Sequence, residues 1–152
     1  MKRSVELLAP AGNMECFEAA VNAGADAVYL GGDKFNARAY ASNFSVQELI
    51  RALDMAHIYG RRVYLTLNIL FKDAELSEIP DYIQPLYRAG LDGVILQDLG
   101  AAALIRQCFP GLPLHASTQM SVTDTEGMLY LKKQGFKRVV PARELSLKEL
   151  KV

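Results

Sequence analysis

Four times along the chain a glycine is followed by a polar step and a short apolar run. The pattern appears in Gly24-Ala25-Asp26-Ala27-Val28-Tyr29-Leu30, Gly60-Arg61-Arg62-Val63, Gly90-Leu91-Asp92-Gly93-Val94-Ile95-Leu96 and Gly135-Phe136-Lys137-Arg138-Val139. A glycine at that place ends a helix, because it alone accepts the left-handed C-cap without a Cβ penalty. An apolar run of four or five residues without alternation suits a strand covered on both faces, as in a parallel sheet. Helix, glycine and buried strand in repetition therefore mean parallel β/α units with right-handed crossovers.

The rest of the chain fills in around these units. The sequence predicts strands at Val5–Leu8, Ala27–Leu30, Val63–Leu67, Gly93–Leu96, Leu114–Ala116 and Arg138–Val140. Asn13 is placed to cap a first helix over Met14–Asn22. Ser45 and Glu48 form a capping box for a second that runs to Tyr59. A third is expected over Leu76–Ala89, starting late or kinked because an interior proline, Pro85, costs about 3 kcal/mol or more. Asp98 is placed to cap a fourth over Ala101–Gln107, and Thr123 with Glu126 a fifth that Gly135 terminates. A last box, Ser146 with Glu149, opens a helix of barely two turns.

Each strand empties into polar residues, which points to a shared site at one end of the sheet. An open nucleotide-binding sheet would show a glycine fingerprint after the first strand, and Ala9-Pro10-Ala11-Gly12-Asn13 is not one. A barrel, whose site draws on all the strand-end loops, fits better, but a barrel takes roughly 250 residues. The expected fold class is thus α/β, a partial (β/α)8 TIM-type barrel with the first six parallel strands and five to six helices. Residues 1–152 read as one unit, the N-terminal portion of a longer barrel domain. Its unpaired edge strands would then drive self-association.

Seventeen basic and seventeen acidic residues cancel, so no global field advertises a nucleic acid or an anionic membrane. The apolar fraction of 51% supports a real core. The N-terminus lacks the apolar run of a signal peptide and no stretch reaches bilayer length, so the expected compartment is the cytoplasm. Cys16 and Cys108 lie far apart within helical patterns and read as small buried hydrophobes rather than a disulfide or metal set.

The segment from Pro113 to Val122 carries the first group of candidates. If extended geometry continues past Ala116, His115, Ser117 and Gln119 share one side. These three are the catalytic candidates, although side chains two apart on a strand are parallel neighbours and need not form a nucleophile–base pair. A lone histidine at a strand end is also a common structural group. Asn36 and Arg38, in a loop longer than most β/α connections, are candidates for substrate binding, with Arg38 suited to a carboxylate. Asn68, Gln97 and Asp98 follow strands three and four and could orient a polar substrate. Arg143 and Glu144 follow strand six and either face substrate or pair with each other. His57 shares an apolar helical stripe, and Asp26 and Asp92 precede their strands, where a stabilising role is expected. Lys132, Lys133, Lys137 and Arg138 read as a solvated face. No metal set can be assembled.

Several motifs together resemble a known family. Glu6-Leu7-Leu8-Ala9-Pro10-Ala11-Gly12 and Gly24 to Gly32, then Phe35-Asn36-Ala37-Arg38-Ala39, Thr66-Leu67-Asn68, Gln97-Asp98, His115-Ala116-Ser117-Thr118-Gln119 and Ala142-Arg143-Glu144-Leu145-Ser146, match in order the U32 peptidases, the collagenase-like proteases. The resemblance implies a peptidase or, as for some members, prephenate-dependent hydroxylation of transfer RNA, ribosomal RNA or the ubiquinone ring. It further implies an iron–sulfur cluster on cysteines beyond the matched region, so no cofactor is expected on this stretch itself. The implied partners are an RNA, a small molecule or a peptide, with no membrane. Neither a His-Glu-x-x-His nor a Gly-x-Ser-x-Gly motif is present, which favours RNA hydroxylation over proteolysis. A non-catalytic piece is the third reading.

Overall fold

The computed structural model describes residues 5–37 and 43–151. Strands β1 (Leu8–Ala11), β2 (Ala27–Gly31), β3 (Arg62–Leu67), β4 (Gly93–Leu96), β5 (Leu114–Ala116) and β6 (Phe136–Val139) form one parallel sheet in sequential order. Helices α1 (Met14–Asn22), α2 (Val46–Ile58), α3 (Asp73–Leu76), α4 (Ile79–Arg88), α5 (Leu99–Cys108) and α6 (Thr125–Lys133) alternate with them, and 3-10 turns occupy Thr118–Met120 and Glu149–Lys151. The order and direction are those of a β/α barrel wall, and the sheet does not close on itself.

The repeat glycines behave as the pattern requires. Gly24, Gly60, Gly90 and Gly135 have φ of 92°, 65°, 88° and 89°. The aspartates of the repeat form a clasp at the amino ends of the strands. Asp26 accepts the Leu7 N–H at 2.8 Å, and Asp92 accepts the Val63 N–H at 2.8 Å. Each thus fixes the strand one place earlier in the sheet. His57 at the end of α2 adds its Nε2 to Asp92 at 3.0 Å, a helix-end role rather than a core one.

The two faces of the sheet are filled differently. Val28, Leu30, Val63, Leu65, Val94, Leu96, Leu114 and Ala116 point outward into one apolar layer with Phe17, Leu49, Leu53, Ile83, Leu86 and Ile105 from the helices. Ala27, Tyr64 and Ile95 form a separate small cluster with Leu8 and Tyr29 on the inner face. Period-two alternation separates these sets.

Several boundaries differ from the sequence reading. β1 begins at Leu8, not Val5, and takes in Pro10. It has a sheet neighbour on one side only, so the missing proline N–H breaks no ladder bond on the open side. α4 starts at Ile79 with Pro80 in its first turn and carries Pro85 inside, so the late start is what occurs. α6 is capped by Asp124, which accepts the Gly127 N–H at 2.8 Å, and not by Thr123. The Ser45–Glu48 box forms, a cap worth about 1 kcal/mol. The Ser146–Glu149 box also forms but leads into a 3-10 turn. Cys16 and Cys108 are exposed, not buried.

Candidate functional site

The carboxyl ends of the strands enclose a cavity of about 520 Å³. Leu8, Tyr29 and Ile95 give it an apolar depth, and Thr66, Asn68, Ser117, Thr118 and Arg143 give it polar walls. The β2–α2 loop forms one side from a stiff base. Gly32 bridges Phe44, Asp33 N–H donates to the Phe44 carbonyl at 2.9 Å, and Phe44 N–H to the Gly31 carbonyl at 3.1 Å. Asn36 is buried there and donates to the Gly32 carbonyl and to Asn43 Oδ1.

Asn68 ties this loop to the neighbouring strands. Its Oδ1 accepts the Ala37 N–H at 3.2 Å, while its backbone carbonyl accepts from Gln97 Nε2 at 3.0 Å. Asp98 is engaged at the start of α5, accepting from the Ala101 N–H at 2.8 Å and the Phe71 N–H at 3.3 Å. Asn36, Asn68 and Gln97 therefore hold the frame, and Asn36 and Asn68 also line the cavity. Arg143 is exposed on its wall and Glu144 lies just outside it; the two do not pair with each other. Arg38 lies outside the described residues.

The proposed row of His115, Ser117 and Gln119 does not form. The chain leaves extended geometry at Ser117, whose Oγ accepts the Gln119 N–H at 3.2 Å and starts a 3-10 turn. Gln119 is consequently exposed, while Ser117 is buried against the cavity. His115 is 5% exposed and sits inside the barrel rather than on its rim, in register with Ile95 and Arg138. Its ring meets the edge of Tyr64 with centroids 4.6 Å apart.

Below it lies a charged group that sequence reasoning missed. Glu6 accepts from Arg138 Nη1 at 2.7 Å and Tyr64 Oη at 3.0 Å, with Arg62 Nη2 at 2.8 Å. Arg138 therefore points inward and is no part of a solvated face. Burial alone would raise the Glu6 carboxyl, but the hydrogen bonds from Arg138 and Tyr64 and the nearby guanidinium charges hold it below the usual carboxylate range. Alternation alone could not have found it: a register shift where β5 pairs with β6 leaves Phe136 in the outer layer although it lies two residues before Arg138.

Burial first, and then the positive charge of Arg138, push His115 down to about 4. Its Nδ1 has no hydrogen-bond partner among the described residues. Folded His115 is thus neutral where an unfolded histidine, titrating near 6.5, already binds a proton. The unfolded state takes up the extra proton between those values, so stability should fall as pH drops from about 6.5 to about 4 and level off below. The His115→Phe variant should lose that part of the slope in urea midpoints measured across this range. An unchanged slope would place the titration elsewhere.

A family model described as Peptidase family U32 matches residues 12–152. A tRNA hydroxylation protein of Bacillus subtilis is 37% identical over 146 residues, covering 96% of this chain and 35% of that protein. A 23S rRNA 5-hydroxycytidine synthase of Escherichia coli is 39% identical over 147 residues, covering 97% of this chain and 22% of the relative. A collagenase of Porphyromonas gingivalis is 30% identical over 147 residues, covering 96% and 35%. The chain thus spans about a third or less of the curated relatives it matches. Among solved structures, a U32 peptidase superposes with a TM-score of 0.68 at 13% identity, covering 93% of this chain and 61% of that one. That likeness speaks for the barrel fold.

Proposed function

This chain belongs to peptidase family U32, and we propose that the protein carrying it takes part in hydroxylating a base of a transfer or ribosomal RNA. The observation that carries this reading is the similarity, at 37% and 39% identity, to relatives named for those two reactions. The site gives it chemical support. A serine hydrolase needs its hydroxyl beside an activating base, whereas here the Ser117 hydroxyl caps a turn and His115 lies inside the barrel against Tyr64. Among the described residues, what remains at the cavity is a set of groups that bind and orient: Thr66, Thr118 and Asn68 around an apolar depth, with one guanidinium, Arg143, at the wall.

An iron–sulfur cluster, with prephenate as a co-reactant, would supply the oxidative chemistry in such a protein. The residues described here do not fit the cluster. Cys16 is on α1 and Cys108 ends α5, both exposed, and no three histidine, cysteine or acidic side chains come together among the described residues. This chain's part in the reaction is to form one wall of the substrate site. An RNA substrate also accords with a cytoplasmic location, and no helix among the described residues is long and apolar enough to cross a membrane.

The test uses the whole protein. It should purify with iron and sulfide, and RNA from cells lacking it should lose one hydroxylated pyrimidine by mass spectrometry. A metal-free preparation that cleaves gelatin, with the RNA of the deletion strain unaltered, would favour the peptidase reading instead.

A further inference from the structure

Beside the cavity lies a second hollow, of about 430 Å³, and Thr118, Ala142 and Arg143 line both. The two spaces differ in chemistry. The cavity's depth presents a ring, Tyr29, backed by the inner cluster of Ala27, Tyr64 and Ile95. The hollow is oxygen-rich, with the hydroxyls of Thr118, Ser121 and Thr123, the guanidinium of Arg143 and the carboxylate of Glu144. Arg143 is exposed and enters no ion pair among the described residues, whereas Arg138, which points into the barrel, is held by Glu6. In a chain with no net charge, attraction for an anion must be local, and among the described residues that line these two spaces Arg143 is the one cation.

We propose that the cavity takes one nucleotide base-first, with the base over Tyr29, and that the adjoining phosphodiester sits in the hollow against Arg143. The inference rests on the RNA reading above and adds the orientation. An enzyme that modifies a base must take it out of the stack, and the extruded base is read in a pocket while its phosphates stay at the rim. A guanidinium at the wall matches a phosphate bidentately, and hydroxyls beyond it supply further donors. Of the two charged groups in the hollow, Arg143 attracts a phosphate and Glu144 repels one, which makes Arg143 the seat. An apolar side chain in the same cavity would make no use of that charge.

The two contacts have different salt signatures. With the whole protein and a labelled single-stranded oligoribonucleotide, affinity is measured over a series of salt concentrations. Arg143→Ala should flatten the slope of log affinity against log salt by about 0.7, the contribution of one phosphate on a single strand. Tyr29→Leu should weaken binding about tenfold at every salt concentration with the slope intact, since stacking releases no counterion. Tyr29→Phe should bind as the parent does, and melting midpoints confirm that each variant is folded. RNA binding with the slope unaltered by Arg143→Ala, or affinity unaltered by Tyr29→Leu, overturns this placement and leaves the RNA reading standing. A parent protein that binds no oligoribonucleotide overturns both.

Discussion

Alanine in place of Gly32 should destabilise the chain by about 3 kcal/mol, the upper end for overpacking a filled site, and removing the Tyr82 hydroxyl should restore at least half of that. The cause is space, not backbone conformation. A Cβ at Gly32 would lie 1.7 Å from Tyr82 Oη, 3.1 Å from Tyr82 Cζ and 3.3 Å from Leu49 Cδ1. Tyr82 has nowhere to swing, being 8% exposed and met edge-on by Phe35 at 5.5 Å, with Phe35 in turn against Phe71 at 5.2 Å. Gly32 also bridges Phe44 and accepts from Asn36, so the overlap would push the base of the β2–α2 loop away from the cavity. The phenol oxygen meets no partner at good hydrogen-bond geometry among the described residues, though the Lys34 backbone and the Asp33 carboxylate lie close enough to act on it, so Tyr82→Phe should cost about 1 kcal/mol at most while opening the contact to a tight but tolerable one. Urea denaturation of the two single variants and the double gives the coupling directly. A Gly32→Ala protein within about 0.5 kcal/mol of the parent, or a double variant no more stable than the glycine variant, would show that the loop relaxes freely.

That contact was invisible in the sequence, and the reason separates what could be read from what could not. The glycine repeat told of helix ends, and all four glycines take the left-handed conformation. The caps at Asn13, Ser45 and Asp98 were legible because each depends only on residues three apart. The parallel order followed from the alternation of elements. Gly31-Gly32 read as the start of a loop, but whether a glycine is needed for its φ or for a ring arriving from α4 depends on a contact fifty residues away. β1 was set three residues early because Ala9-Pro10-Ala11 has the composition of a turn, and only an edge position makes that proline harmless. The strand Leu114–Ala116 was read correctly, but His115 at its middle is buried against Tyr64, and the row toward Gln119 failed because Ser117 caps a 3-10 turn, a contact with no counterpart in period two. Arg138 was read with the lysines beside it, because the register shift in β6 that turns it inward while Lys137 stays exposed is not written in the local pattern.

Removing the carboxylate of Glu6 should cost about 2–3 kcal/mol and loosen the two ends of the sheet together. Glu6 precedes β1 and Arg138 lies in β6, so their 2.7 Å contact joins the first and last strands, which share no ladder. Breaking an ion pair buried in a protein by deleting one partner costs about 3–5 kcal/mol. The figure here is lower because the Arg138 and Arg62 side chains are 33% and 54% exposed, and water takes over part of their solvation. Glu6→Ala also strips Tyr64 of its acceptor while Arg138 still lies over that ring at 5.4 Å. The loss should therefore exceed that of Arg62→Ala, which removes only the more exposed arm. The acid limb checks the assignment. A carboxylate held below its ordinary range stabilises the fold above that range and loses the contribution as pH falls through its folded pKa, so the parent's acid slope should shrink in Glu6→Ala. Hydrogen exchange should meanwhile speed up in β6 and α6 before β3 and β4, because β6 is held by the ladder to β5 on one side and by this pair on the other. Uniformly faster exchange, or a stability change within about 0.5 kcal/mol, would mean that Glu6 is an ordinary surface acid and that the open edge is held by the outer apolar layer alone.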